Sequence, residues 1–274
     1  MLAGAPGGSM LNVAVSLGRM NVPVQLITRI GDDKLADALV DFLRHNHVHV
    51  EHITRMAGKK TNLALAFLDD RKKPSYSFYG AKEPVPEFGD IPFRAQDVLL
   101  FGSSYAIDDY TLKPVDKVIV AAHNKGVLCV YDPNIRQKCG SAIQDKRILK
   151  RMEEADIVKM SDEDLLAAGL SIDELTRKMP GKYFILTGGS APVEFRRGEN
   201  RFSVAVPEID PVNTTGAGDA FSAGMIKELS MKNITKANLP GLDCSLWRKA
   251  IAAGIEGAAS VCRSHENYLS KPTQ

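Results

Sequence analysis

The sequence predicts an α/β protein in which a mostly parallel central sheet is covered by helices, organised as one domain over residues 1–274. From residue 97 onward, short apolar runs of strand type alternate with runs of helical spacing, and such alternation implies crossover connections between parallel strands. The chain is 44% hydrophobic, which is enough to bury a sizeable core. Glycine-rich turns stand directly before two predicted helices, so binding sites are expected at those turns.

The charge balance favours a small-molecule partner. The formal net charge is +2 with both signs scattered along the chain, so there is no basic stripe for nucleic acid and no polybasic patch for a membrane. No apolar stretch is long enough to span a bilayer, and we expect no signal peptide. The cysteines lack C-x-x-C spacing, so we expect reduced thiols in a cytoplasmic protein. They are Cys129, Cys139, Cys244 and Cys262.

The first predicted element is a helix over residues 11–18, which follows Gly7 and Gly8 and precedes a strand over residues 22–27. A glycine pair that leads into a helix is either a binding turn or a plain loop, and the residues alone leave both open. A second helix is predicted over residues 33–42.

Closely spaced histidines follow this second helix, at His45, His47, His49 and His52. They suggest a metal site, but alternate histidines without a closing ligand are more typical of a helix end followed by a strand. Cationic histidine also suits the C-terminal end of a helix dipole. We therefore predict no zinc.

The next predicted elements form a hairpin and then the sheet. Residues 62–68 and 75–79 are two strands joined by a charged turn. Further strands are predicted at residues 97–102, 126–131 and 184–189, with a helix at residues 118–123. The Ala- and Gly-rich run at residues 250–261 predicts a helix that lies either against an adenine ring or tightly against another helix.

The segment Asp132-Pro133-Asn134-Ile135-Arg136 lies where the strand at residues 126–131 ends. Open parallel sheets bind ligands at this carboxyl edge. The structural alternative is that Asp132 caps the strand end and Arg136 forms a surface ion pair.

Residues 213–224 combine a glycine-rich turn, one acid and a helix start. Gly216, Ala217 and Gly218 are predicted at a helix N-terminus, where unpaired N–H groups and the positive end of the dipole can hold a phosphate. Asp219 then stands beside that phosphate, where it can take a proton from an attacking hydroxyl. The alternative is an ordinary helix N-cap after a tight turn.

This run resembles the C-terminal signature of the ribokinase-like (PfkB) carbohydrate kinases, in which a glycine-rich anion hole precedes the catalytic aspartate. Gly7, Gly8 and Asn12, followed by residues 31–33, resemble the N-terminal signature of the same family. The resemblance implies a ribokinase-like three-layer sandwich with a small β lid, here the hairpin at about residues 61–79. It also implies ATP, Mg²⁺, a monovalent cation and a homodimer formed through the lid. The alternative for the hairpin is an ordinary sheet edge.

The resemblance further implies roles for individual residues. The catalytic base is Asp219, and the anion hole is Gly216, Ala217 and Gly218. The sugar-binding residues are Gly7, Gly8, Asn12, Tyr79, Asn134 and Arg136. The nucleotide-binding residues are Thr187, Gly189, Gly216 and Gly218, and Asp164 is a metal residue acting through water. The DPN-x-R segment is similar to that of fructokinases and 2-keto-3-deoxygluconate kinases, so a fructokinase is expected. The alternatives are a 2-keto-3-deoxygluconate kinase or another kinase of the family, for ribose or a nucleoside.

Some positions depart from the family pattern. Asn21 replaces a usual glycine after the first helix, where asparagine also tolerates the left-handed conformation. Ser161 and Asp164 replace an Asn and a Glu that organise magnesium and phosphates. The family's first strand, with its sugar-binding aspartate, is missing from the sequence, so we expect a longer working protein. These departures leave open a non-catalytic sugar or nucleotide sensor.

Overall fold

The computed structural model describes residues 4–68, 74–80, 83–135 and 142–271. Its largest sheet contains β7 (Val98–Gly102), β8 (Leu128–Asp132), β9 (Ile157–Ser161), β10 (Tyr183–Gly188), β11 (Ala191–Arg197) and β12 (Asn200–Val204). The spatial order is β12-β11-β10-β9-β8-β7. Strands β7 to β10 run parallel, and β11 and β12 return antiparallel. The predicted α/β class with a mostly parallel sheet is confirmed.

Helices cover both faces of this sheet. The main ones are α3 (Leu112–Asn124), α4 (Ala142–Glu154), α7 (Ala217–Met231) and α8 (Cys244–Cys262). Strand β8 is buried along its whole length, and because successive side chains point to opposite faces, Tyr131 joins the core beneath α3 and α4. Its neighbour Val130 joins the core beneath α7 and α8. A strand buried on both faces is the middle layer of a three-layer sandwich.

Short helices connect β9 to β10, namely α5 (Asp162–Ala168) and α6 (Ile172–Lys178). Helix α5 begins in a capping box, in which Ser161 and Asp164 satisfy each other's backbone N–H groups. It ends at Gly169 in the left-handed conformation. The cap fixes the direction in which the chain leaves the carboxyl end of β9.

The N-terminal part of the chain adds helices at one end of the sheet. It contains α1 (Ser9–Arg19), α2 (Lys34–His45), β1 (Val24–Gln25), β2 (Thr28–Ile30), β3 (Val48–His49) and β4 (Ile53–Arg55). Helix α1 packs across α7 through a shared apolar cluster that includes Leu17 and Ile226. Asn21 follows α1 with φ 58°, so its predicted left-handed conformation is confirmed.

The strand predicted over residues 22–27 is confirmed only at Val24–Gln25, which forms β1, and a second short strand, β2, follows at Thr28–Ile30. Strand β1 pairs with β3, whereas β2 pairs with β4. The histidines lie where a helix end followed by a strand was predicted. His45 is the last residue of α2, and His49 is the last residue of β3. Among the residues that the structure describes, no three His, Cys, Asp or Glu side chains form a group able to hold a metal ion.

The hairpin consists of β5 (Leu63–Leu68) and β6 (Pro74–Tyr79), paired antiparallel. It forms a two-stranded sheet of its own, so the ordinary-sheet-edge interpretation is wrong for the described chain. At its base, Asp33 caps α2 and accepts hydrogen bonds from both the backbone and the side chain of Thr61. The hairpin is thereby attached to the start of α2.

The small residues of α8 face α7. A Cβ at Gly257 would lie 2.6 Å from the carbonyl oxygen of Ala220, and one at Gly254 would lie 2.9 Å from the ring of Phe221. Helix packing therefore accounts for this composition without a nucleotide. Within the described ranges, none of the helices has the length and apolar character needed to cross a membrane.

Candidate active site

The turn before α7 has the geometry of an anion site. Helix α7 begins at Ala217 after Gly216, whose φ of 85° is left-handed, and no side chain caps the helix. The first N–H groups of a helix have no intrahelical partner, so this end can receive a negatively charged group. A Cβ at Gly216 would collide with the backbone of Asn267, so both conformation and space require glycine here.

Asp219 lies in the first turn of α7 and is buried. Its carboxylate accepts hydrogen bonds from Ser9 Oγ at 2.6 Å and from Asn12 Nδ2 at 2.8 Å. Both donors belong to α1, so Asp219 does not serve as the N-cap of its own helix, and that interpretation is wrong. Because both partners donate, the arrangement suits an ionised carboxylate, which only accepts.

Asn12 presents a second polar atom at this place. Its side chain is buried, and its Oδ1 has no hydrogen-bond partner among the described residues. A buried acceptor without a donor is costly, and such groups often mark functional sites. The hydroxyl of a bound molecule would supply the missing donor.

Asp132 ends β8 and is fully buried. Its Oδ2 accepts from Lys159 Nζ at 3.0 Å and from Ser222 Oγ at 3.1 Å. Ser222 belongs to α7 and Lys159 to β9. One carboxylate therefore links two strands of the sheet to the helix that carries Asp219.

The chain beyond Asp132 stays at the carboxyl edge of the sheet. Asn134 adopts a left-handed conformation with φ 44°, and the N–H of Ile135 donates to Asp164 Oδ1 at 2.6 Å. Arg136, the other residue predicted in this segment, lies outside the described residues.

Asp164 is engaged by the protein itself. Besides Ile135, its carboxylate accepts from the N–H of Ser161 at 2.7 Å and from its Oγ at 2.8 Å. With three donors in place, contact with a magnesium ion through water fits this carboxylate better than direct coordination.

Thr187 and Gly189 lie at the end of β10. Thr187 pairs with Ser161 across the parallel strands, so it shares the edge that carries Asp132. Gly189 is left-handed with φ 54°, and no atom lies near the position of an added Cβ. The ends of β8, β9 and β10 thus form one polar edge beside α7.

The remaining predicted sugar residues lie on two other elements. Gly8 is the residue before α1, with φ 127°, and Gly7 precedes it; both are exposed. Tyr79 ends β6 with 56% of its surface exposed. The structure brings Asn12 to Asp219, whereas Tyr79 stands on the hairpin.

Residues 264–269, which follow α8, contact the turn before α7. The Asn267 side chain accepts from Asn213 at 3.3 Å, and Asn213 in turn accepts from the N–H of Thr215 at 2.9 Å. Arg19 of α1 holds the segment, because it donates to Glu266 and to the carbonyl of Leu269 and lies over the ring of Tyr268. The turn is therefore braced by α1 through this segment.

Sequence reasoning missed Ser9 and Lys159. Ser9 stands three positions before Asn12, so both lie on one face of α1, a spacing that the sequence already contained. Lys159 is a charged residue in an otherwise apolar strand, and such residues need a buried partner. The sequence therefore indicated that Lys159 needs a buried partner, but it did not identify Asp132 as that partner.

Comparisons with known proteins found a matching family model and similar curated proteins. The chain matches a family model described as pfkB family carbohydrate kinase over residues 3–273. It is 30% identical over 237 residues to fructokinase-2 of Zea mays, covering 81% of this chain and 70% of that protein. It is 28% identical over 252 residues to a fructokinase of Rhizobium leguminosarum bv. trifolii, covering 86% and 76%.

Solved structures share the fold. A fructokinase from Vibrio cholerae O395, with fructose, ADP and calcium bound, superposes with a TM-score of 0.85 at 21% identity, covering 99% of this chain and 90% of that one. An aminoimidazole riboside kinase from Salmonella enterica, complexed with aminoimidazole riboside and an ATP analogue, gives 0.81 at 23% identity, covering 97% and 89%. The ribokinase-like three-layer fold is thus confirmed.

Proposed function

This chain belongs to the pfkB family of carbohydrate kinases and is therefore a sugar kinase, and we propose that it transfers the γ-phosphate of ATP to a hydroxymethyl group of fructose. The observation that carries the proposal is the buried Asp219 carboxylate, held by α1 beside the uncapped N-terminus of α7.

The proposed chemistry needs one base and one anion site. The sugar oxygen forms a bond to the γ-phosphorus while the bond from that phosphorus to the bridging oxygen breaks, and ADP leaves. Asp219 takes the hydroxyl proton. The backbone of Gly216, Ala217 and Gly218 stabilises the negative charge on the moving phosphoryl group.

The acceptor sugar is proposed to lie between α1 and the edge of the sheet. Asn12 supports this placement, since its unpartnered oxygen needs a donor and sugar hydroxyls are donors. Gly7, Gly8, Asn134, Tyr79 and Arg136 complete the proposed sugar site. Fructose is favoured because several relatives are named fructokinases. The riboside kinase that shares the fold favours a ribosyl acceptor as the second candidate.

On the nucleotide side, we assign Thr187 and Gly189 with Gly216 and Gly218, because Gly189 directly after β10 and Gly218 at the start of α7 are exposed glycines. The family implies ATP as donor. Mg²⁺ would be held by the phosphates and by water beside Asp164, whose carboxylate already accepts three hydrogen bonds. A monovalent cation belongs to the proposal through the family resemblance alone.

Three further expectations belong to this proposal. The hairpin at about residues 61–79 acts as a lid on one catalytic domain, and it joins two copies in a homodimer. The enzyme works in the cytoplasm, in keeping with Cys129, Cys244 and Cys262, which are free thiols. No nucleic acid or membrane partner is proposed.

The decisive test is ADP release from ATP across a panel of acceptors: fructose, glucose, ribose, aminoimidazole riboside and 2-keto-3-deoxygluconate. We expect the highest kcat/KM with fructose, and phosphorus NMR should show a phosphate ester on a hydroxymethyl oxygen. A preference for the keto-deoxy acid or for the riboside would replace fructose as the substrate. Sugar or nucleotide binding without turnover on any acceptor would support a non-catalytic sensor instead.

A further inference from the structure

Lys159 is a buried charge that the proposed reaction does not yet use. It lies in the middle layer, on β9, between apolar neighbours, and its side chain is almost completely removed from solvent. Moving an unpaired ammonium group out of water is very unfavourable, so its presence requires compensation.

The compensation comes from carboxylates. Asp132 accepts a hydrogen bond from the ammonium at 3.0 Å. Burial alone would lower the pKa of Lys159, but Asp132, with smaller contributions from Asp164 and Asp219, raises that pKa above its ordinary value. Lys159 is therefore charged at neutral pH, and its positive charge lies among the acids of the site.

The ammonium also lies close to the turn Gly216–Gly218, named the phosphate turn because the phosphate is proposed to bind there. A Cβ built on Gly218 would be 3.0 Å from Lys159 Nζ, so the ammonium lies against the first turn of α7. Ser222, one helical turn further along the same face, shares Asp132 with Lys159. Lys159 thus lies against the first turn of α7 at Gly218, and Asp219 is the residue that follows Gly218.

We propose that Lys159 supplies the full positive charge of the phosphate site, binding the phosphates of the nucleotide and then the transferred phosphoryl group at the Gly216–Gly218 turn, while Asp132 and Ser222 hold Lys159 in position. This inference rests on the proposed function and adds to it a residue in direct contact with the phosphate. A helix end carries only about half a charge, and a preorganised ammonium in a buried site adds more stabilisation of phosphate oxygens. Asp132 neutralises the ammonium when no phosphate is bound.

The pair itself favours a functional role over a purely structural one. A buried ion pair that only stabilises a fold needs its remaining lone pairs satisfied. Asp132 Oδ1 is buried and has no hydrogen-bond partner among the described residues. The Asp132–Lys159 pair is thus incompletely satisfied in the described chain, as expected where a ligand alters the local balance of charge.

A double-mutant comparison separates the two roles. For a structural pair, Lys159→Met and Asp132→Asn each destabilise the protein by leaving one charge alone, and the double variant recovers both stability and ligand binding. For a phosphate-binding lysine, the double variant recovers stability but not phosphate binding. Lys182→Met is the matched control, because Lys182 donates to carbonyls of Glu153 and Ala155 at the opposite, N-terminal end of β10.

The experiment measures the melting temperature of each variant alone, with ADP, with adenosine and with fructose, and kcat with ATP and fructose. We expect Lys159→Met and the double variant to lose the stabilisation by ADP, to keep that by adenosine and fructose, and to lose kcat by about 100-fold or more. Lys182→Met should keep the ADP response and kcat.

The inference would be overturned if ADP raised the melting temperature of the double variant, or that of Lys159→Met, as much as it raises that of the wild type. If ADP raises the melting temperature of the wild-type protein but no sugar is phosphorylated, the proposed function is wrong. The comparison of ADP stabilisation among the variants then still tests the role of Lys159. A wild-type protein without any ADP response would overturn both.

Discussion

Asp219 is oriented by residues that lie more than 200 positions away in the chain. Ser9 and Asn12 donate to separate oxygens of its carboxylate, and both donors come from the first turn of α1. A base that is held by two hydrogen bonds in a buried position has little freedom to turn away from its substrate. Catalysis is therefore expected to depend on α1 as well as on α7.

Replacing Asp219 with Asn keeps the shape of the side chain but removes the base. Turnover should fall by about two to four orders of magnitude, because that is the typical contribution of general base catalysis. Fructose affinity, measured by calorimetry, should change little.

The matched variant for this prediction is Ser9→Ala, which deletes one donor and leaves the base. Its loss of kcat should be smaller than that of Asp219→Asn. Near-normal turnover in Asp219→Asn would remove Asp219 from the mechanism, and equal losses in both variants would make the hydrogen bond, not the base, the important feature.

Local patterns predicted single residues well where the chemistry is local. The left-handed Asn21 and the helix start at the Gly216–Gly218 turn both follow from residue types and neighbours. The partner of Lys159 did not follow, because Asp132 is 27 positions away and meets Lys159 only through the register of β8 and β9. Pairing between strands is a property of the folded chain.

At the level of elements too, features encoded by local sequence were predicted, whereas contacts between distant segments were not. The sequence patterns located α1, β8, β10 and the hairpin, since each has its own periodicity or turn. They did not show that β1 and β2 separate toward different partners, or that residues 264–269 return to support the phosphate turn. Such arrangements depend on contacts between distant segments.

The turn before α7 should tolerate no side chain at Gly216. An alanine there must adopt a left-handed conformation, which costs about 1–2 kcal/mol, and must also displace the backbone of Asn267. Gly216→Ala should therefore lower the melting temperature and abolish stabilisation by ADP.

Gly126→Ala provides the control for this turn. Gly126 is also left-handed, with φ 68°, but an added Cβ would meet nothing within 4 Å. Gly126→Ala should therefore introduce backbone strain alone and lower the melting temperature by a few degrees. The stabilisation by ADP should remain unchanged. Equal melting losses with intact ADP responses in both variants would show that Asn267 moves away without effect on the phosphate site.

For the molecule as a whole, the hairpin is the surface where a second copy is expected. Leu63 and Tyr79 face each other across the base of the hairpin, with 47% and 56% of their surfaces exposed. Exposed apolar side chains gathered at one place favour association. The family resemblance makes this place the lid, so dimerisation and closure over the sugar would involve the same strands.

Leu63→Asp should convert a dimer into monomers in sedimentation velocity, because an aspartate would be buried unpaired in the interface. Leu166→Asp is the control, since Leu166 is 78% exposed on a different element, α5. A monomeric wild-type protein, or a Leu63→Asp variant that remains dimeric, would contradict a lid-mediated dimer.

The brace formed by residues 264–269 also has a consequence for the order in which the protein becomes active during synthesis. Asn267 backs Gly216, and the N–H of Leu269 donates to Ser16 Oγ at 3.1 Å. A nascent chain can assemble the sheet and even α7 while these residues are still inside the ribosome. Because chains grow at roughly 5–20 residues per second, the phosphate turn acquires its support only seconds after α7 has been made. We therefore expect a ribosome-bound chain that exposes everything up to α8 to be folded in large part yet unable to hold ATP.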